Sequence, residues 1–272
     1  MTVRCDTIVI PAGLVPASRV NPQCLILYGA PKVGKTTAAA ALPDSLILEL
    51  EPAGADFLSA RKIDVPDIDT LLAVLNNLIV LRDAKTPACR RLVIDTVDQL
   101  EVLAKSAAFA KYKKSVLGST SKATDLFELD MGQGYGRLRD EVGELLWLCC
   151  KAADEIVLLA HCRDKFIERK GQQEVSAQDI DLTGKVRALV CSRVSSIGYV
   201  RRDFTGTLYV NFGKKADDIV ICESRCFHLS GKEIVLGELA KDGKLVFHWE
   251  RIYKPLPDAP APGAQPTGAP AP

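Results

Sequence analysis

The chain has 272 residues, of which 47% are hydrophobic and 25% are charged, so it is long enough and apolar enough to bury a sizeable core. Its 35 Lys and Arg residues nearly balance 34 Asp and Glu residues, and the net charge of +1 excludes a protein that is basic as a whole; any contact with nucleic acid has to come from a local patch. The sequence contains nine cysteines but no C-x-x-C pair, which predicts reduced thiols. It has no apolar run of about 18 residues and no signal peptide, so we expect a cytoplasmic protein with no membrane partner.

Residues 1–23 are predicted to be an irregular lead-in. Four proline and glycine residues separate short apolar pieces, and one piece, Thr7 to Ile10, has the pattern of an edge strand. We assign no chemistry to this segment and expect the main domain to cover residues 24–254.

A strand, a glycine-rich loop and a helix are predicted in that order at the start of the main domain. Leu25 to Tyr28 is an apolar run typical of a buried strand, and Thr37 to Leu42 is strongly helix-forming. The segment between them matches the pattern G-x-x-x-x-G-K-[ST]. The predicted phosphate-binding loop consists of Gly29, Ala30, Pro31, Lys32, Val33, Gly34, Lys35, Thr36 and Thr37.

The residue types in this loop suit the binding of Mg-ATP. Gly29 and Gly34 have no Cβ atom, so the backbone can turn sharply and aim several N–H groups at phosphate oxygens. Lys35 is predicted to reach the β- and γ-phosphates, and the Thr36 hydroxyl to bind Mg²⁺. A glycine-rich turn with an exposed lysine is the alternative, and the flanking strand and helix favour the phosphate loop.

A second buried strand is predicted from Ser45 to Glu51, and it ends on a carboxylate. A carboxylate at such a strand end faces the nucleotide crevice, so Glu51 is predicted to orient or deprotonate the water that attacks the γ-phosphate. A solvated charge at the end of a strand stays open as the alternative, in which case Asp98 is the candidate for the same role. A crossover helix follows from Asp67 to Leu81, with Asp67 or Asp69 as its cap.

A third buried strand, Arg91 to Thr96, also ends in an acidic residue. About 60 residues after a phosphate loop, this pattern predicts that Asp95 holds the Mg²⁺ hydration shell opposite Thr36. We then expect a helix over Thr96 to Val116, a loop over Gly118 to Gly136 and another helix from Leu138 to about Ala153.

A fourth buried strand, Glu155 to Ala160, leads directly to His161. A polar side chain at this strand tip, beside the metal-site strand, can contact the γ-phosphate, so His161 is predicted to be its sensor. A hydrogen-bonded structural histidine is the alternative.

The segment Arg163 to Gln173 is polar and basic and turns at Gly171. It is predicted to be a loop that contacts single-stranded DNA, with cations on phosphates and an aromatic ring against a base. A solvated hairpin is the alternative. The predicted DNA contacts are Arg163, Lys165, Phe166, Arg169 and Lys170.

The remaining chain is predicted to be rich in strands. Loop is expected up to Lys185, then a helix or strand over Val186 to Val194, and a β-hairpin over Gly198 to Phe212. Residues 255–272 form a Pro- and Ala-rich tail that is predicted to be disordered. No zinc site is predicted, because the cluster Cys222, Cys226 and His228 supplies only three of the four ligands that structural zinc takes.

The order of these motifs resembles the RecA-like ATPase core, and more specifically the phage-encoded AAA and RecA-type ATP-binding proteins that serve as small recombinases or single-strand annealing proteins. The resemblance covers roughly residues 24–212. It implies phosphate contacts from Gly29 to Thr37, a catalytic glutamate at Glu51, a metal aspartate at Asp95 and a γ-phosphate sensor at His161.

The same resemblance implies a DNA-facing loop just after His161. It also implies a homo-oligomer, because RecA-like cores usually complete their site with a cation from a neighbouring copy, here Lys185 or Arg187; a plain loop charge is the alternative for each. His161 stands where RecA has a glutamine, and the flanking domains of RecA have no counterpart in this sequence, so the resemblance does not imply strand exchange of the full RecA kind.

Together these features predict an α/β protein with a RecA-like P-loop NTPase core, a mostly parallel sheet, helices on both faces and a β-rich C-terminal part. The expected activity is Mg-ATP hydrolysis with low turnover, acting on single-stranded DNA in phage-type recombination, annealing or repair. The alternative is an ATPase that remodels a protein partner, or a small-molecule kinase, without DNA binding. The basic segment after His161 favours the DNA interpretation, since no lid or acceptor-binding motif of a kinase is recognisable.

Overall fold

The computed structural model describes residues 18–52, 54–169, 172–213, 220–240 and 243–255. For residues 165–169 and 172–177 it describes the backbone alone. The predicted edge strand at Thr7 to Ile10 lies outside these residues, as does the predicted tail apart from Pro255. The helices are α1 (Lys35–Ala40), α2 (Ile68–Asp83), α3 (Val97–Lys113), α4 (Val116–Ser119), α5 (Gln133–Ala152) and α6 (Gly184–Arg193). Short 3-10 helices cover Leu126–Glu128, Asp130–Gly132 and Trp249–Arg251.

Eleven strands belong to the sheet system of the described residues. They are β1 (Cys24–Gly29), β2 (Ser45–Glu49), β3 (Lys62–Asp64), β4 (Arg91–Asp95), β5 (Glu155–Arg169), β6 (Gln172–Ile180), β7 (Ser196–Arg202), β8 (Leu208–Asn211), β9 (Glu223–Ser224), β10 (Glu233–Leu239) and β11 (Leu245–Phe247). Their order across the sheet is β11-β10-β8-β7-β1-β5-β4-β2-β3, with β6 paired to β5 and β9 to β7.

The parallel half of the sheet brings the predicted site residues to one edge. From β7 to β3 the neighbouring strands run parallel, whereas β8, β10 and β11 add antiparallel strands beyond β7. The register pairs Gly29 with His161 across β1 and β5, and Glu49 with Asp95 across β2 and β4. Because the carboxyl ends of parallel strands share one edge, residues far apart in sequence meet there.

Alternating side chains of the buried strands fill two cores. Ile26 and Tyr28 of β1 face a core shared with α2, α3, α5 and α6, while Leu25 and Leu27 face a second core with α1. The second core also contains Trp249, whose indole N–H donates to the Ala38 carbonyl at 2.8 Å. The predicted α/β class, with a mostly parallel sheet, helices on both faces and a β-rich C-terminal part, is confirmed.

Several local expectations are also confirmed. The Asp67 side chain caps α2 by accepting from the Thr70 N–H at 2.7 Å. The segment from Gly184 to Arg193 is a helix, and β7 and β8 form the predicted hairpin. As a separate observation, none of the described helices is long and apolar enough to cross a membrane.

Other local expectations are corrected. The segment predicted as a loop at Arg163 to Gln173 lies largely in β5 and β6, which pair antiparallel from Cys162 opposite Ile180 to Arg169 opposite Gln172. A two-stranded arm of this kind bonds its own backbone groups, so it needs no apolar side-chain pattern to form. The expected loop from Gly118 to Gly136 holds α4, two 3-10 turns and the start of α5.

Candidate active site

The phosphate loop joins β1 to α1, as predicted. Gly34 has a φ of 112°, which side chains with a Cβ atom rarely adopt. A Cβ atom on Gly29 would lie 2.4 Å from the carbonyl oxygen of Val200 on the neighbouring strand. Each glycine is therefore required by its own constraint, one by backbone conformation and the other by close packing.

Lys35 lies inside this loop with only 6% of its surface exposed. Its ammonium donates to the carbonyl oxygens of Gly29 at 2.9 Å and Ala30 at 3.0 Å. Burial lowers the pKa of Lys35, and the nearby carboxylates of Asp95, Asp98 and Glu51 act in the opposite direction. The ammonium thus lies within the loop itself, where a bound phosphate would meet it.

Asp95 is the last residue of β4 and contacts the first turn of α1. It is 4% exposed and accepts a hydrogen bond from the Thr36 hydroxyl. Burial raises the pKa of Asp95 to about 6; the Thr36 bond and Lys35 oppose this rise, whereas Glu51 and Glu49 add to it. A hydroxyl and a carboxylate side by side are ligands that suit Mg²⁺, and a divalent cation would relieve the crowding of negative charge.

Glu51, Asp98 and His161 gather on the other side of Asp95. The Thr96 hydroxyl donates to Glu51 Oε1 at 2.9 Å. Asp98 accepts from the His161 backbone N–H at 3.2 Å and lies 2.9 Å from His161 Nδ1, while Glu51 Oε1 is 3.7 Å from the same nitrogen. The Asp98 carboxylate therefore fixes the orientation of the imidazole.

One cavity of about 500 Å³ connects these groups. It opens above the carboxyl edge of the parallel strands, the usual location of ligand sites in α/β sheets. Its lining comprises Pro31, Lys32, Gly34, Lys35, Thr36, Thr37, Glu51, Gly54, Phe57, Leu58, Asp95, Thr96 and His161. The cavity joins a cation, a hydroxyl, carboxylates and an imidazole, which is a set of groups suited to phosphoryl transfer.

Besides other residues of the predicted loop, the structure brings together around this cavity the five side chains that were given individual roles: Lys35, Thr36, Glu51, Asp95 and His161. Their individual roles stay predictions. Strand β2 ends at Glu49 rather than Glu51; Glu49 is buried and pairs with Lys62 at 2.7 Å. The strand-end position expected for Glu51 is thus taken by a structural carboxylate.

The predicted cations from a neighbouring copy lie elsewhere. Arg187 forms an ion pair with the fully buried Asp179 at 3.0 Å. Lys185 lines a groove between α5 and α6 that also contains Trp147. Their proposed action in trans stays a prediction.

The predicted DNA contacts fall mostly on side chains that are not described. Arg163 is described, and its guanidinium lies 3.6 Å from Asp181. The backbone of Lys165, Phe166 and Arg169 belongs to β5. Their side chains, and the whole of Lys170, lie outside the described residues.

Sequence reasoning did not assign Thr96 to the site and named Asp98 only as the carboxylate that would act as general base if Glu51 did not, although both follow Asp95 within three residues. A polar residue at the start of a helix that follows a metal-site strand is a signal that would have found them. It also did not predict that Arg202 lies beside the phosphate loop, where its Nε donates to the Val33 carbonyl at 3.1 Å. No local pattern indicates this contact, which joins residues far apart in the chain.

The raised pKa of Asp95 makes a prediction about stability. The carboxyl of Asp95 has a pKa of 3.8 in the unfolded chain and about 6 in the folded protein. The protonated carboxyl therefore stabilises the fold fully below pH 3.8, and this stabilisation is lost as the pH rises through 6. At pH 7.5, without Mg²⁺ or nucleotide, Asp95→Asn is expected to raise the free energy of unfolding by roughly 2 to 3 kcal/mol, and this gain shrinks at pH 4.5.

Urea unfolding in the presence of a chelator measures this difference. Asp140→Asn is the matched control, because it removes the same charge from a side chain that is 71% exposed. An Asp95→Asn variant as stable as the parent at both pH values would contradict the buried, ionised carboxylate.

Residues 21–218 match the family model described as AAA domain. A KaiC-like protein from the hyperthermophilic archaeon Pyrococcus horikoshii OT3 is similar in structure, at 12% identity over 83% of this chain and 89% of that chain, with a TM-score of 0.43. The RadB recombinase is similar at 12% identity over 82% of this chain and 90% of that chain, with a TM-score of 0.41.

A search of curated protein sequences found no match. The family match spans most of the chain and includes the phosphate loop, the four strands that carry the site and the β7–β8 hairpin. With this match and with the P-loop NTPase arrangement of its sheet and loop, the chain belongs to the AAA domain family.

Proposed function

We propose that this protein binds Mg-ATP, hydrolyses it with low turnover and uses the nucleotide to control its binding of single-stranded DNA in recombination, annealing or repair. The observation that supports the nucleotide part is the single cavity that contains Lys35, Thr36, Asp95, Glu51 and His161. A lysine inside a phosphate loop, a buried metal-type carboxylate and a water-orienting carboxylate are together what ATP hydrolysis requires.

Each residue of the cavity has a separate role in the proposed reaction. The loop N–H groups and Lys35 bind the β- and γ-phosphates, while Thr36 and Asp95 hold Mg²⁺. Mg²⁺, when bound, neutralises part of the charge on the transferred phosphoryl group. Glu51, held by Thr96, orients the attacking water and accepts its proton, and His161 contacts the γ-phosphate.

The DNA part of the proposal is supported by how the β5–β6 arm begins. His161 lies within β5 itself, and its carbonyl accepts the Asp181 N–H at 3.0 Å, so both strands of the arm are attached at the sensor. A shift of His161 on loss of the γ-phosphate is therefore transmitted to the arm. The arm carries the basic residues that the sequence predicts to contact DNA.

Binding of single-stranded DNA tests this proposal directly. We expect tighter binding with a non-hydrolysable ATP analogue than with ADP, and an ATPase rate that rises when single-stranded DNA is added. Each phosphate neutralised adds about 0.7 to the slope of log affinity against log salt, so the double substitution Arg163→Ala with Lys165→Ala is expected to flatten that slope.

The matched control is the double substitution Lys113→Ala with Lys114→Ala at the far end of α3, which removes the same charge away from the arm. Equal slopes for parent and arm variant would remove the arm from the interface. Single-stranded DNA binding that is undetectable at low salt in either nucleotide state would remove the DNA role and favour a protein partner or a small-molecule acceptor.

A further inference from the structure

Arg202 at the end of β7 lies against the phosphate loop. Its Nε donates to the Val33 carbonyl at 3.1 Å. One of its terminal nitrogens lies 2.5 Å from the position that a Cβ atom on Gly34 would occupy, so the guanidinium packs directly on the loop at this glycine. Gly34 thus admits both a left-handed turn and this side chain.

The sheet explains why an arginine so distant in sequence lies there. Strand β7 runs parallel to β1, with Tyr28 paired to Tyr199, and then continues three residues further, alongside the loop that follows β1. Side chains alternate along β7: Val200 packs into the core shared with α1, and Arg202, two residues on, faces the same side. Arg201 takes the other face, where it pairs with Glu233.

The charge of Arg202 has no acidic partner among the described residues. Arg187 pairs with Asp179 and Arg201 with Glu233, whereas within the described part of the chain the side chain of Arg202 makes one hydrogen bond, to a loop carbonyl. That bond uses Nε and leaves the terminal N–H donors of an exposed guanidinium available. A guanidinium with available donors beside a phosphate loop matches the geometry of phosphate oxygens.

We propose that Arg202 binds the polyphosphate of the nucleotide from within the same chain, as a second cation beside Lys35. This inference rests on the proposed binding of Mg-ATP and deepens it. The Val33 carbonyl accepts a hydrogen bond from Nε and thereby orients the two terminal nitrogens of the guanidinium along the loop. The guanidinium is therefore ordered before the ligand binds. It follows that the positive charge around the phosphates comes partly from β7, and not from the phosphate loop alone.

Calorimetry of Mg-ATP and of inorganic tripolyphosphate with the full chain tests the proposal. Arg202→Ala is expected to weaken both ligands by a similar factor, roughly 10- to 100-fold, because charge-assisted hydrogen bonds are lost. Arg202→Lys keeps the charge but loses the paired N–H donors of the guanidinium, so its affinity for both ligands is expected to lie between those of the parent and of Arg202→Ala. Arg201→Ala is the matched control on the opposite face of the strand and is expected to bind like the parent.

The melting temperature without ligand separates binding from folding, since Arg202→Ala is expected to leave it unchanged. Parent affinity in Arg202→Ala would overturn the inference while leaving ATP binding intact. A loss for ATP with tripolyphosphate unaffected would assign Arg202 to the nucleoside and would also overturn it. A parent protein that binds neither ligand would instead reject the proposed function on which the inference rests.

Discussion

Replacing Lys35 with alanine is expected to abolish nucleotide binding, with a loss of affinity for Mg-ATP of about 100-fold or more. Lys35 is buried in the loop and already lies 2.9 Å from the Gly29 carbonyl, so its charge is positioned before the ligand arrives. Because burial lowers the pKa of this lysine, the unliganded protein holds a charge that a phosphate would stabilise.

Calorimetric titration with Mg-ATP measures the effect. Lys32→Ala is the control within the same loop. Lys32 is exposed and has a positive φ of 62°. Alanine and lysine both have a Cβ atom and meet the same steric cost at this φ, so the substitution removes a lysine without adding backbone strain. We expect Lys32→Ala to retain most of the affinity. If Lys35→Ala binds Mg-ATP as tightly as the parent, the loop is not a nucleotide site.

The phosphate loop and Asp95 could be predicted because their signals are local. A strand, two glycines, a lysine and a helix lie within twenty residues, and Asp95 ends an unbroken apolar run. Glu51 illustrates the limit of such reasoning. Two carboxylates stand two residues apart, and β2 ends at the first of them, Glu49, which is buried and pairs with Lys62 from β3. That partner belongs to β3, which the sequence pattern did not predict.

The cations around the site depend on contacts that no local pattern records. Arg187 looks like a free loop charge in the sequence, yet β6 brings the buried Asp179 to it. Arg202 belongs to the predicted β-hairpin, and the parallel pairing of β7 with β1 carries it to Val33. In both cases the strand order across the sheet, not the neighbouring residues, decides what the arginine contacts.

Replacing Glu51 with glutamine is expected to preserve Mg-ATP affinity and to lower the rate of hydrolysis by about 100-fold or more, since a positioned general base contributes factors of that order. The amide oxygen can still accept from the Thr96 hydroxyl, which lies 2.9 Å from Glu51 Oε1, so the side chain keeps its place. What the substitution removes is the negative charge and the capacity to accept a proton from water.

Single-turnover hydrolysis, together with calorimetry of Mg-ATP, separates the chemical step from binding. Asp98→Asn is the informative comparison, because Asp98 is occupied by both the backbone N–H and Nδ1 of His161 and therefore acts by positioning the imidazole. We expect this variant to lose less activity than Glu51→Gln and to weaken the preference of the protein for ATP over ADP. Unchanged hydrolysis in Glu51→Gln combined with a large loss in Asp98→Asn would transfer the role of general base to Asp98, whose carboxylate shares the same cluster.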